Sequence, residues 1–176
     1  MLEIYVEPFL PPDRLILIGQ GGKDDVEDNL IRFGELLGFE VVVIDPNPVL
    51  TEKPHQVLKD LDFDLASFSF SRTDSVIVLT KGARDVEILG TLSRVPLRFV
   101  GLMASNKRIQ QNTDALKQEG VPEGFLNSLH APVGLDIGAI TPMEIALSIM
   151  AQVVATKYGK ARALERTAKM VVSQPD

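Results

Sequence analysis

The stretch from residue 15 to residue 46 has the sequence LILIGQGGKDDVEDNLIRFGELLGFEVVVIDP, and its pattern indicates the fold. The apolar run at 15–18 ends at Gly19, which is typical of a strand buried on both faces of a parallel sheet. Apolar residues at helical spacing follow, and Gly38 ends that helix; they are Val26, Leu30, Phe33 and Leu37. A second β-branched run at 41–44 completes a strand–helix–strand unit, whose crossover we expect to be right-handed.

The rest of the chain continues this alternation. Strands are predicted at 76–80 and 97–103, and helices follow them, one to about residue 92 and one over 106–119. A last helix is predicted from 142 to about 158, with Thr141-Pro142-Met143-Glu144 as its capping box. Between 47 and 75 the signal is weaker: a short helix is predicted at 55–61, and phenylalanines 63, 68 and 70 fit a short strand or a loop over the core.

These elements predict an α/β protein with a Rossmann-like three-layer fold, a mostly parallel sheet and a C-terminal helical extension. We expect a single domain over residues 1–176. Within it, residues 1–12 would form an N-terminal strand or lead-in and residues 160–176 a C-terminal tail.

Composition excludes several classes of function. The 176 residues carry 18 Lys+Arg against 24 Asp+Glu, a net charge of -6, which argues against general nucleic-acid binding. The absence of cysteine excludes a disulfide, a thiolate metal site and a cysteine nucleophile in this chain, and two histidines are too few for a histidine zinc cage. No apolar run approaches a membrane span and the first residues do not resemble a signal peptide, so a soluble cytoplasmic protein is expected.

A glycine-rich turn follows the first predicted strand and opens the first helix. Gly19, Gly21 and Gly22 would allow close approach of a phosphate to backbone N–H groups, and Asp45 ends the second strand where a ribose-binding carboxylate usually lies. Asp24 stands at the third glycine position of the dinucleotide fingerprint, and Asp25 follows it, so both would repel a pyrophosphate. The alternative is that the glycines serve only the turn and the acids cap the helix.

Two further strand ends carry polar and basic residues. If strand 76–80 pairs beside the first strand, Thr80, Lys81 and Arg84 face the glycine turn across a crevice; a solvated helix start with Asp85 as its N-terminal charge is the alternative. The pattern recurs at Ser105, Lys107 and Arg108, which would form an anion site or simply an N-cap with neighbouring cations.

The loop at 130–139 leads into the last helix. Asp136 lies between Leu135 and Ile137, so we expect it to be buried and to need a partner, either a cofactor or backbone N–H groups. His130 would act as a general base or as a structural side chain, and the second role is favoured because no carboxylate is near it in sequence.

The most specific motif of the chain is HAPVGLDIGAITPMEIALSIMA at 130–151. Supporting segments are FVGLMASNKR at 99–108, VLTKGARD at 78–85 and YVEPFLPPDRLILIGQGG at 5–22. Together these motifs resemble the XdhC/CoxI family of accessory factors, which handle molybdenum cofactor for xanthine dehydrogenase and carbon monoxide dehydrogenase type enzymes. The resemblance covers the family's Rossmann-type half. Departures are Lys81 where histidine is usual, Ala104 where glycine is usual, and a longer loop after Gly21.

The resemblance implies a non-catalytic accessory protein that binds a phosphate-bearing molybdenum cofactor, molybdopterin or its nucleotide form. The implied binding residues are Gly19, Gly21, Gly22, Asp45, Thr80, Lys81, Ser105, Lys107, Arg108 and Asp136. The implied partners are an apo-molybdoenzyme and either a separate protein with the family's cysteine-containing N-terminal domain or a sulfurase, unless the chain has a narrower role. Sulfur chemistry would then belong to the partner.

Two other hypotheses remain open at this stage. One is an NAD(P)-binding oxidoreductase or a nucleotide-binding regulatory module, supported by the strand–helix–strand unit and by Asp45, which would favour NAD. The other is a homodimeric scaffold, suggested by the broad apolar stripe predicted on helix 142–158.

Overall fold

The computed structural model describes residues 12–59, 65–82 and 84–159. Of the predicted lead-in it describes only Pro12, and the predicted tail at 160–176 lies outside the described residues.

The described residues contain a five-stranded sheet in the order β3-β2-β1-β4-β5, and every neighbouring pair of strands is parallel. The strands are β1 (Arg14–Ile18), β2 (Glu40–Ile44), β3 (Gln56–Leu58), β4 (Ser75–Val78) and β5 (Phe99–Leu102). This is the strand order of the doubly wound dinucleotide-binding fold, in which the order reverses between β1 and β4.

Helices cover both faces of the sheet. They are α1 (Asp25–Leu36), α2 (Asp85–Leu92), α3 (Asn106–Gln118), α4 (Glu123–Ser128) and α5 (Pro142–Lys157). The buried apolar residues of α1 and α5 form one core with one face of the sheet, and those of α2 and α3 form a second core with the opposite face. The predicted three-layer α/β fold with its C-terminal helix is therefore confirmed.

The central strands are buried on both faces, as the apolar runs predicted. Leu15 and Leu17 of β1 lie in the core under α1 and α5, whereas Ile16 and Ile18 lie in the core under α2 and α3. Alternate side chains of a strand point to opposite faces, so a continuous apolar run is what two covered faces require.

Two local predictions were wrong. The segment predicted as a helix at 55–61 contains β3, whose Val57 pairs with Val43 at the edge of the sheet, and residues 60–64 lie outside the described residues. Pairing with the open edge of β2 outweighed the local helical pattern. On α1, Ile31 is buried in place of the predicted Leu37, which follows the last helical residue and is exposed.

Phe68 and Phe70 belong to a loop that packs against the core beside a short 3₁₀ turn (Leu65–Ser67), in agreement with the second of the two alternatives. Phe63 lies outside the described residues.

Candidate cofactor-binding cleft

A cleft opens at the carboxyl ends of β1 and β4, where the strand order reverses. Together with the adjoining open solvent it measures about 240 Å³, and it is lined by residues 19–22, Asp24, Glu27, Asp45, Leu79 and Lys81. Ligands of open parallel α/β sheets bind at this position because the loops after the two strands diverge there to opposite faces. The predicted meeting of the glycine turn with the loop after β4 is observed directly, since the N–H of Lys81 donates to Gln20 Oε1 at 2.5 Å.

The glycine turn uses its own N–H groups within the chain. Gly19 donates to the carbonyl of Ile44 at 2.9 Å, and Gly22 donates to the carbonyl of Asn47 at 2.9 Å. Gly21, whose φ of +92° favours glycine, donates to Asp45 Oδ2 at 2.7 Å. All three glycine N–H groups are therefore hydrogen-bonded without a ligand.

Asp45 holds the turn against the end of β2. Its carboxylate is buried and accepts hydrogen bonds from the N–H groups of Gly21 and, at 2.8 Å, of Asn47. A Cβ at Gly19 would stand 2.1 Å from Asp45 Oδ2, so only glycine fits beside this carboxylate. Asp45 lies at the expected ribose-binding position, but its oxygens already bind backbone N–H groups.

The start of α1 is capped by a carboxylate. Asp24 has an extended backbone, and its Oδ1 accepts from the N–H groups of Val26 at 2.8 Å and Glu27 at 3.2 Å. This is the capping role that the sequence offered as the alternative to phosphate binding. The positive end of the helix dipole therefore faces a negative side chain of the same chain.

Glu27 is a site residue that the sequence analysis missed. Its side chain lines the cleft although the residue is only 2 % exposed, and its Oε1 has no hydrogen-bond partner among the described residues. Burial, together with the negative charges of Asp45, Asp24 and Asp28, raises the pKa of Glu27 to about 8. The signal was present in the spacing, because Glu27 shares a helical row with the buried Ile31 and Gly34.

The loop after β4 places one basic side chain at the cleft. Lys81 is exposed on the rim, and within the described ranges its ammonium group forms no ion pair. Arg84, in contrast, pairs with Glu87 at 2.6 Å on the surface of α2. Thr80 is buried and donates its hydroxyl to Asp85.

Asp85 joins the ends of β4 and β5 to α3. Besides the Thr80 hydroxyl, it accepts from Asn112 Nδ2 at 2.6 Å, and Arg108 Nε lies 3.0 Å from its Oδ2. The Arg108 guanidinium also donates to the carbonyls of Thr80 at 2.9 Å and Met103 at 2.5 Å. Arg108 thus connects the ends of β4 and β5 and is absent from the cleft lining, and Asp85 is buried rather than solvated.

The remaining candidates lie outside the lining of the cleft. Ser105 is the N-cap of α3 and accepts from the N–H of Arg108 at 3.4 Å, while Lys107 is exposed beside it. Asp136 is exposed, so the expectation that it is buried was wrong; its neighbour Ile137 is exposed too, because this loop runs over the surface.

His130 has a structural position. Its ring stacks on Phe99 at a centroid distance of 4.4 Å, and its Nδ1 lies 3.2 Å from Gln152 Nε2. Its backbone continues the sheet beside β5 through a parallel bridge to Gly101. This arrangement agrees with the favoured interpretation of His130 as a structural side chain.

Among the described residues, no helix combines the length and apolar character that crossing a membrane requires. Within the same residues, no group of three or more histidine, aspartate or glutamate side chains is arranged to hold a metal ion.

Comparison with known proteins identifies the family. The model of the XdhC Rossmann domain matches residues 15–153. The chain belongs to the XdhC Rossmann domain family. The resemblance inferred from the motifs at 130–151 and 99–108 is therefore confirmed.

Named relatives and a solved structure agree with this assignment. The chain is 35 % identical over 162 residues to uncharacterized protein YqeB of Escherichia coli (strain K12). It is 31 % identical over 161 residues to a Bacillus subtilis (strain 168) protein named as a probable subunit of xanthine dehydrogenase. A crystal structure titled a xanthine dehydrogenase, from Bacillus halodurans, matches 85 % of the chain with a TM-score of 0.70 and 32 % identity.

The match covers only part of each relative. It includes 89 % and 88 % of this chain but 29 % of YqeB and 46 % of the Bacillus subtilis protein, and 44 % of the Bacillus halodurans chain. This XdhC domain therefore corresponds to less than half of the relatives that it matches.

Proposed function

We propose that this XdhC domain is the cofactor-binding part of an accessory protein that binds molybdenum cofactor and passes it to an apo-molybdoenzyme of the xanthine dehydrogenase or carbon monoxide dehydrogenase type. The observation that carries the proposal is the cleft at the β1/β4 reversal, with Lys81 on its rim and the glycine turn at its base. Family membership and the name of the Bacillus subtilis relative support a client of the xanthine dehydrogenase type, and the carbon monoxide dehydrogenase type follows from the motif resemblance alone.

The residues of the cleft fit a phosphate-bearing ligand on one side only. The glycine turn uses its N–H groups on Ile44, Asp45 and Asn47 and faces carboxylates, so it does not fit a phosphate. The opposite rim fits one, because Lys81 is exposed there and the capped start of α3, with Lys107, follows the neighbouring strand. The cofactor's phosphate would accordingly bind on the β4–β5 side.

Each part of the chain then has a distinct role. Lys81 and Lys107 neutralise the phosphate, and the N-cap residue Ser105 lies between Lys107 and the end of β5. Thr80 and Arg108 act as positioning residues, since they hold the β4 and β5 ends together through Asp85. Asp136 stays a predicted contact without support from the cleft geometry.

The chemistry at molybdenum would come from the bound cofactor and the partner proteins. This chain has no cysteine, so a persulfide or a thiolate ligand to molybdenum would come from a sulfurase or from a protein carrying the family's N-terminal domain. The domain itself binds, shields and delivers the cofactor without catalysis.

A binding titration tests this proposal. We expect molybdopterin to bind the purified chain in native mass spectrometry, and Lys81→Glu to weaken that binding by about tenfold or more, as expected for loss of a charge-assisted contact and gain of a repulsion. Lys107→Glu should weaken it as well. Lys117→Glu, at the opposite end of α3, carries the same charge change and should bind like the parent chain.

Two results contradict the proposal. One is equal molybdopterin binding by the Lys81→Glu and Lys117→Glu chains. The other is a rise in melting temperature with NAD and none with molybdopterin, which would favour the oxidoreductase hypothesis instead.

A further inference from the structure

The glycine end of the cleft offers hydrogen-bond acceptors where a phosphate site offers donors. The N–H groups of Gly19, Gly21 and Gly22 are bonded within the chain, and Asp24 occupies the first N–H groups of α1. Glu27 is the acceptor at this end of the cleft that these contacts do not use. The residue is 2 % exposed, and its Oε1 has no hydrogen-bond partner among the described residues. A buried polar group without a partner costs free energy, so such a group at a cleft indicates a ligand contact.

The contrast with Asp28, the next residue, shows that burial on α1 does not by itself leave an acid unpaired. Asp28 is also buried, but its carboxylate accepts from the N–H and hydroxyl of Thr51, at 2.9 Å and 2.7 Å. Glu27 is directed instead toward the cleft, where its Oε1 lies 3.1 Å from the position that a Cβ on Gly19 would take.

We propose that Glu27 binds the paired N–H donors of a 2-amino-4-oxopyrimidine ring, the edge that pterins and guanine share, and so directs the heterocycle of the ligand to the glycine turn. The ligand class rests on the proposed function. A carboxylate binds two adjacent N–H groups through its two oxygens, whereas a phosphate offers it only further acceptors. The phosphate of the ligand then lies toward Lys81, on the opposite side of the cleft.

The surroundings of Glu27 favour a donor-rich ring. The buried Leu79 contributes an apolar surface to the lining, against which the face of a flat ring can pack. Asp24 and Asp45 add negative potential that attracts N–H groups and repels phosphate.

A pair of nucleosides that differ in one amino group tests the inference. Guanosine carries the 2-amino group and inosine lacks it, and neither has a phosphate. In calorimetric titration of the full chain we expect guanosine to bind about tenfold more tightly than inosine, the size of a bidentate carboxylate contact. Glu27→Gln replaces one acceptor by a donor and should reduce this preference to less than about twofold.

The matched control is Asp25→Asn in the same turn of α1. Asp25 is exposed, pairs with Lys23 and is absent from the cleft lining, so its variant should keep the preference for guanosine. Equal binding of the two nucleosides by the parent chain, no binding of guanosine, or an unchanged preference in the Glu27→Gln chain would each overturn the inference.

The pH dependence separates a ligand contact from a structural role. Below its raised pKa of about 8 Glu27 is protonated and offers one accepting oxygen in place of two, so the preference for guanosine over inosine should grow from pH 6 to 8. The charged groups facing Glu27 are Asp24 and Asp28 on α1, Asp45 after β2, and Lys81 on the rim. In the Glu27→Gln chain the preference should not change with pH.

Failure of this inference and failure of the proposed function are distinguishable. Molybdopterin binding that depends on Lys81, without a guanosine preference, would leave the cofactor function in place and remove the role of Glu27. A guanosine preference that depends on Glu27, without molybdopterin binding, would leave an aminopyrimidinone site and remove the cofactor function.

Discussion

Glu27 and Asp45 carry the same functional group in different surroundings. Asp45 is buried but its carboxyl oxygens accept two backbone hydrogen bonds. Glu27 is buried beside it without a partner for Oε1 among the described residues, and its pKa is raised to about 8 by burial first and then by the charges of Asp45, Asp24 and Asp28. At neutral pH Glu27 is therefore mostly protonated.

This state makes stability depend on pH in a predictable direction. Glu27 has an ordinary pKa of 4.5 when unfolded and about 8 when folded, so between these values the folded chain binds one more proton. Its contribution to the free energy of unfolding should fall by up to about 1.4 kcal/mol per pH unit across that window and be constant above pH 8. Glu27→Gln should lack this fall.

Urea denaturation of the parent and Glu27→Gln chains at pH 5, 6, 7 and 8 checks the prediction. The free energy of unfolding of the variant, relative to that of the parent chain, should rise as pH rises. Glu27→Met, which cannot ionise either, is the control for the inserted amide and should show the same trend. A difference that does not change with pH would contradict a raised pKa.

At the scale of elements, α1 is held close to the sheet by a helical glycine. A Cβ at Gly34 would stand 2.7 Å from Val41 Cγ2 and 2.9 Å from Leu15 Cδ2, side chains of β2 and β1. Gly90 in α2 is different, since the nearest atom to its Cβ position is Glu119 Oε2 at 3.7 Å. Both glycines lower intrinsic helix stability, but only at Gly34 does close packing against the sheet leave no room for a Cβ.

The two glycines should respond oppositely to alanine. Gly34→Ala should lower the free energy of unfolding by about 1–3 kcal/mol, because the gain in helix propensity is smaller than the cost of displacing Val41 and Leu15. Gly90→Ala should raise it by about 0.5–1 kcal/mol. Urea denaturation midpoints measure both, and a stabilised Gly34→Ala chain would show that α1 can shift away from the sheet at little cost.

At the scale of the whole molecule, the stripe on α5 that suggested a homodimer is largely used within the chain. Ala146, Ile149, Met150 and Val153 are buried in the core that α1 shares, so a partner is not needed to cover them. Two other apolar residues of this region are exposed: Leu147 of α5 is 49 % exposed, and Ile140, in the loop before α5, is 85 % exposed. Homodimer formation stays a prediction, and the apolar surface available for it is smaller than the whole stripe.

Light scattering at micromolar concentration tests this surface. If the chain dimerises through α5, Leu147→Glu should yield a monomer with nearly unchanged melting temperature, because the side chain is half exposed in the folded chain. Leu36→Glu at the end of α1, also at an exposed leucine, should leave the mass unchanged. A monomeric parent chain would rule the homodimer out.

Local pattern was sufficient for most elements of this domain. The apolar runs of β1 and β2, the helical spacings of α1, α3 and α5, and the capping box of α5 all depend on residues close together in the chain, and each was predicted to within a few residues. The glycine turn and its place at the strand reversal followed from the same patterns.

Packing between distant segments decided the elements and contacts that local pattern did not predict. Pairing with β2 made residues 56–58 a strand, and the approach of α3 to the end of β4 brought Arg108 into contact with Asp85 and the carbonyl of Thr80.

The hydrogen-bonding character of the cleft was also decided by packing between distant segments. Asp45 reaches Gly21 from 24 positions away and removes a phosphate donor, while the packing of α1 on the sheet buries Glu27 beside it. Whether an acidic side chain is solvated, satisfied or left without a partner depends on which surfaces close over it, and composition and spacing do not specify that.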